Sequence, residues 1–496
     1  MNRVTYRYNN VLSKIKSSPL AYRFAKGTYW SLICTIITRV FSMVASILIA
    51  RMLGADNFGV YGIIQSTLHI GLLVGFALGG ALTKYLAEYK YKDSIKAGNI
   101  LGLVRTLSLG TSAFMMILLV LSSSWLANNT LNRADLAPLL CTSAVLLFLS
   151  SMNSVQLAAL AGFENFKEIT RISSINAILV PVFAIPLIYY FGVHGAIVSI
   201  IIPSCISYAI SVKVLKKECI KYNIIAKDFH KDSLKESPLV WNFAMPALIS
   251  SLFIVPSTWI SNTILVNDNN GYMELGLFNA ANQWRQLIAF LPQILTVVTL
   301  PILSETHGRE DKKDFYQAFK INLRLTWSYA LPMTIFVILF RNPIAGLFGS
   351  QFHGMTSMMV LLMITSFVNI ISSVISTTML STGNIWIMAF FNFLWGTVLI
   401  ISTSILTKSY GGFGMAIAYL LATSLLVIGQ IIYAEMKIAR NVFAGEHLLI
   451  FTTLISILTV SMDGYLNIGS TIVGITVFTI SLIPCVRTGF KYIYNN

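Results

Sequence analysis

Charged residues are scarce in this sequence. They make up 11% of its 496 residues, whereas hydrophobic residues make up 56% and the mean hydropathy is +0.73. An ordinary soluble domain has about 25% charged residues. With so few charges, a chain of this length could not cover so much apolar surface in a water-soluble fold. The shortage excludes a soluble enzyme, a disordered chain and a secreted disulfide scaffold, and it predicts an all-α polytopic membrane protein.

Cysteine pairs and catalytic motifs are also lacking. The five cysteines stand singly and form no CxxC, which argues against a disulfide framework and a metal site. The sequence contains no phosphate-binding loop, no HExxH and no GxSxG. We therefore expect no catalytic residues, no cofactor and no metal, and a function other than catalysis.

Long apolar runs are what the sequence has instead. A helix needs about 20 residues to cross the hydrocarbon layer of a bilayer. By that length the sequence predicts fourteen membrane spans, numbered here in chain order. They are 29–50, 60–82, 98–122, 136–160, 172–191, 193–214, 239–266, 275–302, 321–340, 355–380, 385–407, 411–434, 447–462 and 467–486. The residues before span one are polar and basic, so we expect span one to be retained rather than removed as a signal.

The basic residues predict the orientation of these spans. If the N-terminus is cytoplasmic, 28 of the 35 Lys and Arg lie in the cytoplasmic segments or within four residues of them, four lie on the opposite side and three lie deeper inside spans. Lys and Arg concentrate on cytoplasmic loops of membrane proteins. We therefore expect both termini to be cytoplasmic in a multi-pass protein of the bacterial inner membrane. This rule also explains the net charge of +16 without nucleic acid.

Short segments recur between the two halves of the chain and predict its domain organisation. The segment "GFENF" (162–166) matches "GNIW" (383–386), and "FGVHGAIVS" (191–199) matches "YGGFGMAIA" (410–418). Two repeats in the same orientation predict two pseudo-symmetric six-helix lobes, an arrangement typical of transporters. The predicted parts are an N-tail (1–28), an N-lobe (29–214), a cytoplasmic loop (215–238), a C-lobe (239–434), two further helices (447–486) and a C-tail (487–496).

Three arginines lie more than five residues from either end of a predicted span. Arg39 and Arg285 are each about ten residues into a span, near the middle of the bilayer, and Arg105 is closer to the cytoplasmic end. Charges at this depth indicate function by default, and no Asp or Glu lies in the middle of any span. Such a cavity favours anions such as phosphate or pyrophosphate. The alternative is that each arginine binds backbone carbonyls at a helix break.

Neutral polar side chains accompany these arginines. Amides fit a lining for a ligand with many hydroxyl groups, as on a sugar chain, although they also serve as contacts between helices. The candidates are Gln65 on span two and Asn279, Asn282, Gln283 and Gln286 on span eight. His69 is a candidate for proton coupling or a packing residue. Pro246, Pro256 and Pro292 predict bends suited to gating, although proline is ordinary in membrane helices.

Several segments carry a family resemblance. The segment "ARMLGADNFGVYGIIQS" (50–66) resembles the entry to the second helix of the polysaccharide transporter family, within the MATE-like MOP superfamily. The segment "GLFNAANQWRQLIAFLPQILTVVTLPILSE" (276–305) resembles the eighth helix of that family. Three shorter segments also fit it: "LFGSQF" (347–352), "GNIWIMAFFNFLW" (383–395) and "GGFGMAIAYLLA" (411–422). With the fourteen spans, the resemblance covers nearly the whole chain.

The resemblance implies a flippase. Members of the family move undecaprenyl-pyrophosphate-linked oligosaccharide, such as an O-antigen repeat unit for lipopolysaccharide biosynthesis, across the bacterial inner membrane by alternating access. The implied partners are that lipid-linked oligosaccharide and the bilayer, with the polymerase and chain-length proteins of the pathway as further candidates. Two alternatives stay open. One is a polysaccharide polymerase or ligase, which usually has a larger external loop than is predicted here; the other is a MATE-like cation antiporter, disfavoured because no span has a central carboxylate.

Overall fold

The computed structural model describes residues 19–226, 228–309 and 311–438 of the chain. Within these ranges the chain is almost entirely helical and contains no strand, which confirms the all-α fold. The predicted spans 447–462 and 467–486 and the C-tail lie outside the described residues, as does the N-tail before residue 19.

Twelve α-helices follow one another along the described chain. They are α1 (Pro19–Tyr89), α2 (Ser94–Trp125), α3 (Leu136–Gly162), α4 (Phe166–Lys221), α5 (Lys231–Leu234), α6 (Ser237–Val266), α7 (Gly271–Ile288), α8 (Phe290–Gly308), α9 (Lys312–Leu339), α10 (Arg341–Phe348), α11 (Met355–Ser381) and α12 (Ile385–Tyr433). Single π-helical turns extend α2 over Leu126–Thr130 and α12 over Ala434–Ile438.

Three of these helices each contain two predicted spans joined at one glycine. The backbone leaves the helical region at Gly54 (φ 76°, ψ 173°) in α1, Gly192 (φ 54°, ψ −129°) in α4 and Gly411 (φ 52°, ψ −134°) in α12. Only glycine adopts such dihedral angles at little cost, so one residue is enough to turn the chain. The residues between predicted spans one and two, 51–59, are therefore helical on both sides of Gly54.

Predicted span eight (275–302) is not one helix. It is divided at Ala289 into α7 and α8. Pro292 explains the break, because it has no N–H for the carbonyl of Ile288 and its ring crowds that carbonyl. The helix is therefore interrupted just before Pro292, whereas α6 continues through Pro246 and Pro256. The bends predicted at these prolines stay predictions.

Eight helices in the described part of the chain are long and apolar enough to cross a membrane. Three of them contain two predicted spans each, so these eight helices account for every described span except span eight. The broken pair α7 and α8 stands in its place. The chain is therefore a multi-pass membrane protein.

The two sequence repeats have matching local structures. At the first, Glu164 and Gly383 take left-handed backbone angles (φ 62° and 76°). The next residue, Asn165 or Asn384, donates its N–H to the carbonyl five residues back, at 3.0 Å and 2.9 Å, as in a Schellman turn. At the second repeat, Gly192 and Gly411 have nearly equal dihedral angles. The local geometries place Glu164, and not Gly162 as the sequence match suggests, opposite Gly383, whereas the match of Gly192 with Gly411 holds. The two-lobe organisation predicted from the repeats stays a prediction.

The chain folds into two compact units. Unit 1 comprises the described residues before position 50 with Gly71–Leu126 and Ala134–Leu248. Unit 2 comprises Ala50–Ile70, Ala127–Arg133 and the described residues from Ile249 onwards. The division runs through predicted spans two and seven, and the predicted lobe boundary at 215–238 stays a prediction.

Each unit has its own apolar core. In unit 1, Leu82 of α1, Ile100 of α2 and Leu160 of α3 are fully buried in one cluster. In unit 2, Phe278 of α7 and Ile375 of α11 are almost completely buried. Buried residues pack side chain against side chain, which fixes the helix faces that remain for the polar residues.

Candidate functional site

Unit 2 contains a cavity of about 440 Å³. It is lined by Phe58, Tyr61, Gly62, Gln65, Ser66 and His69 of α1, Ile254, Thr258 and Asn262 of α6, Asn279, Asn282, Gln283, Arg285 and Gln286 of α7, Asn369 and Ser372 of α11, and Asn392, Trp395, Tyr419, Thr423 and Leu426 of α12. Most of these side chains are polar, although all except those of α7 come from strongly apolar helices. A cavity lined in this way is the candidate ligand site of unit 2.

Helix α7 supplies a large share of the lining. Asn279, Asn282, Gln283 and Gln286 are three or four positions apart, so they lie on one helix face. The opposite face of α7 is apolar and buried, for example at Leu277 and Ala281. The helix therefore uses its apolar face for the core and its amide face for the cavity.

Two glycines allow α7 to approach α1 closely. A Cβ added to Gly276 of α7 would overlap the carbonyl oxygen of Ala55, and a Cβ added to Gly59 of α1 would overlap the carbonyl oxygen of Tyr272. One turn further on, a Cβ at Gly62 would overlap the Asn279 amide. The backbones are thus close enough for amides of both helices to line the same cavity.

Arg285 is fixed in the cavity by contacts on two sides. Its Nε donates a hydrogen bond of 2.6 Å to Oδ1 of Asn282. Its guanidinium carbon lies 5.5 Å from the centre of the Tyr419 ring, a cation–π distance. Arg285 is in the last turn of α7, where a cation is favoured by the helix dipole.

The cavity has a cationic balance. Arg285 is the one permanently charged side chain among its lining residues, and no lining residue is Asp or Glu. Two buried amide nitrogens of the lining, Nε2 of Gln65 and Nδ2 of Asn279, have no hydrogen-bond partner among the described residues. A guanidinium and spare amide donors are groups that bind anions and hydroxyl oxygens.

Two aromatic rings and one further amide come from α12. The Trp395 indole donates a hydrogen bond of 3.3 Å to Thr423, and Nδ2 of Asn392 donates one of 3.0 Å to Ser250. The Trp395 and Tyr419 rings meet edge to face, with centroids 5.9 Å apart. These bonds hold the rings in place and leave apolar faces beside the polar groups.

The cavity brings together seven of the twelve residues predicted as site residues. Those that line it are Gln65, His69, Asn279, Asn282, Gln283, Arg285 and Gln286. The three prolines are outside the lining, and their proposed part in gating stays a prediction.

The other two arginines belong to unit 1. Arg105 is paired with Asp228, with Nη1 3.4 Å from the carboxylate. Burial raises the pKa of Asp228 above its ordinary value, and Arg105 partly offsets this rise. Arg39 is half-buried in the first half of α1. For both arginines a part in substrate binding stays a prediction.

Sequence reasoning missed several lining residues. They are Asn262 of α6 and Asn392, Trp395, Tyr419 and Thr423 of α12. The sequence does contain a signal, since Asn262 and Asn392 are amides inside apolar spans, as Asn279 is. Tyr419 and Trp395 carry no such signal, because aromatic residues are common throughout these helices.

No group of three or more His, Cys, Asp or Glu side chains that could hold a metal occurs among residues 19–226, 228–309 and 311–438. The cavity accordingly offers amides, hydroxyls, aromatic rings and one guanidinium to a ligand.

Comparison with known structures identifies the fold. An inward-facing multidrug resistance MATE family transporter of the MOP superfamily matches with a TM-score of 0.68 at 15% identity, over 82% of this chain and 97% of that one. A MOP superfamily transporter from Pyrococcus furiosus, described as having a binding pocket of reversed polarity, has a TM-score of 0.62 at 15% identity, with 84% and 95% covered. An outward-facing MATE transporter has a TM-score of 0.61 at 16% identity, with the same coverage.

Comparison with known sequences identifies the family. No curated protein matches the chain significantly. The model of the family described as "Polysaccharide biosynthesis protein" matches residues 24–307, more than half of the chain. With the helical fold shared with MATE transporters of the MOP superfamily, this match shows that the chain belongs to the polysaccharide biosynthesis protein family.

Proposed function

We propose that this membrane transporter is a flippase that moves undecaprenyl-pyrophosphate-linked oligosaccharide, such as an O-antigen repeat unit, across the bacterial inner membrane. The observation that carries the proposal is the lining of the unit 2 cavity. It combines one guanidinium, no carboxylate and many neutral hydrogen-bonding groups. A drug cation would be repelled by this balance, whereas a pyrophosphate and a sugar chain both find partners in it.

Arg285 is proposed to bind the pyrophosphate. Its Nε donates a hydrogen bond to Asn282, which leaves the two terminal nitrogens to bind oxygens of a ligand. A planar guanidinium binds phosphate through two parallel hydrogen bonds. Moving such an anion through hydrocarbon without a partner is prohibitively costly, so a cation along its path has a clear use.

The amide and aromatic residues are proposed to bind the sugars. Amides both donate and accept hydrogen bonds, which suits hydroxyl groups in varied positions. Gln65, Asn279 and Gln283 are candidates for these bonds, and the Trp395 face is a candidate for packing on a sugar ring. The lipid tail would remain in the bilayer.

Alternating access is the proposed mechanism, with the termini in the cytoplasm as the basic residues predict. His69 lines the cavity and is the proposed candidate for proton coupling. The proline at the α7–α8 break, Pro292, is the best placed of the three to serve a bend that changes during transport.

A complementation assay tests the proposal. In a strain that lacks the protein, Arg285→Ala should fail to restore the surface polysaccharide at native expression level, and Arg285→Lys should restore only part of it. Arg309→Ala is the matched control, because Arg309 is exposed and pairs with Glu305 outside the cavity. Arg39→Ala in the same assay tests the second predicted arginine.

The side of the membrane on which substrate accumulates separates a flippase from a polymerase or ligase. Cells that lack a flippase should hold undecaprenyl-linked repeat units on the cytoplasmic face, beyond the reach of an impermeant reagent. Accumulation on the outer face, or full surface polysaccharide with Arg285→Ala, would contradict the proposal.

A further inference from the structure

Unit 1 contains a second cavity, of about 300 Å³, at the ends of its long helices. Lys26 and Trp30 near the start of α1, Lys90 just after its end, and Lys221 at the end of α4 all line it, together with Glu164 from the turn between α3 and α4. In the predicted topology, these positions lie at the cytoplasmic surface of the bilayer. We therefore expect the cavity to lie at the level of the lipid headgroups.

Lysines outnumber glutamates in this cavity, and each glutamate already has a lysine partner. It is lined by four lysines and two glutamates. Lys90 is buried and donates hydrogen bonds to the carboxylate of Glu164 (2.8 Å) and the carbonyl of Gly162 (3.0 Å). The other carboxylate, of Glu218, accepts a hydrogen bond of 2.8 Å from Asn165 and lies 3.5 Å from Lys221.

The remaining lysines, Lys26 and Lys167, are exposed at the rim. After the internal pairs are counted, they leave the cavity with an excess of positive charge. The Lys167 ammonium lies 6.0 Å from the centre of the Trp30 ring, at the outer limit of a cation–π contact. Tyr222 adds no negative charge, because its hydrogen bond with Tyr91 and burial raise its pKa to about 12.

Side chains of α4 contact the backbone of α1 at this cavity and hold the two helices together there. Gly27 brings α1 against the Phe166 ring, where a Cβ would lie 3.1 Å from the nearest ring carbon. The Thr170 hydroxyl donates a hydrogen bond of 2.9 Å to the Trp30 carbonyl. Glu164 holds a left-handed angle (φ 62°) at the position where the second repeat has Gly383. A non-glycine residue in this conformation is uncommon, and its carboxylate is what neutralises Lys90.

We propose that this cavity binds the phosphate group of an anionic lipid headgroup. Basic pockets between membrane helices on the cytoplasmic side suit such headgroups. Lys26 and Lys167 would contact the phosphate, and the Trp30 ring would pack against the glycerol and upper acyl carbons, as aromatic residues do at the membrane surface. This site is separate from the unit 2 cavity and does not depend on the proposed transport substrate.

Lipid binding to the purified full-length protein, measured by native mass spectrometry in a neutral detergent, tests the proposal. Phosphatidylglycerol should bind more tightly than phosphatidylcholine. Each lysine near a membrane surface contributes roughly a fivefold factor, so the double variant Lys26→Gln, Lys167→Gln should bind phosphatidylglycerol roughly 30-fold more weakly. The double variant Lys26→Arg, Lys167→Arg should retain binding.

The matched control is Lys213→Gln, Lys216→Gln, which removes two exposed lysines of α4 outside the cavity. It should bind phosphatidylglycerol as the unmodified protein does. Equal loss in both glutamine variants would overturn the site, because it would show only a general charge effect. Equal affinity for the two lipids would overturn the preference for an anion. Displacement of the lipid by glycerol 3-phosphate at similar concentration would assign the cavity to a soluble phosphate ester instead.

Discussion

The crossing of α1 and α7 depends on two glycines, and replacing either by alanine should destabilise unit 2. A Cβ at Gly59 would overlap the Tyr272 carbonyl oxygen and would lie 2.7 Å from its carbon and 3.1 Å from the nitrogen of Gly276. A Cβ at Gly276 would overlap the Ala55 carbonyl oxygen and lie 3.1 Å from the nitrogen of Gly59. Ordinary contacts are 3.4–4 Å, and the opposing atoms are backbone. The helices must therefore separate by roughly 1 Å or more, whereas a flexible side chain would simply rotate away.

The expected cost is about 3 kcal/mol for each substitution, at the upper end for an overpacked site. Since both substitutions push the same two backbones apart, the Gly59→Ala, Gly276→Ala double variant should lose less than the two single losses together. The separation also moves the amide face of α7 away from Gln65, so surface polysaccharide should fall along with stability.

Thermal unfolding of the purified protein in detergent measures the effect. Gly346→Ala is the control, because nothing lies within 4 Å of the Cβ it adds in α10. That change should leave the melting temperature equal or slightly higher, since alanine favours a helix by about 0.5–1 kcal/mol over glycine. If Gly59→Ala and Gly276→Ala have the same melting temperature as Gly346→Ala, the close crossing of α1 and α7 is refuted.

Three further predictions follow from single features. Gly411→Ala should lower the free energy of unfolding by about 2 kcal/mol, because the backbone angles at Gly411 are strained for any residue with a Cβ. The melting temperature measures this loss, and an unchanged value would contradict the kink. Glu274→Ala should also lower the free energy of unfolding by about 2 kcal/mol, since the Glu274 carboxylate accepts a hydrogen bond of 3.0 Å from the N–H of Gly412. Glu274→Gln keeps an acceptor and should lose less stability. Equal losses in the two variants would exclude this hydrogen bond as the cause. Lys235→Cys, in an otherwise cysteine-free protein, should react with an impermeant thiol reagent only after the cells are opened, because Lys235 is exposed in a loop predicted to be cytoplasmic; labelling in intact cells would reverse the predicted topology.

The sequence by itself determined the class of the protein and most of its spans. Apolar runs of about 20 residues define membrane helices because an unpaired backbone group in hydrocarbon costs several kcal/mol, whatever the tertiary contacts. The repeats "GFENF" and "GNIW" could be matched for a similar reason, because a left-handed turn residue and the asparagine after it are local requirements. The amide face of α7 was also predictable, because residues three and four apart share a face of any helix.

The tertiary structure alone decided which of these polar faces share a cavity. Arg39, Arg105 and Arg285 all lie inside predicted spans, yet Arg285 lines the unit 2 cavity, while Arg105 is paired with Asp228 in unit 1. Tyr419 and Asn392 join the lining only because α12 packs beside α7, a contact between residues more than 100 positions apart. The break at Ala289 and the uninterrupted helix at Pro246 show the same limit, because a proline permits a bend and the surrounding packing decides whether the helix ends there. Periodicity and spacing are local properties, whereas a site is made by the packing of distant helices, which local patterns do not encode.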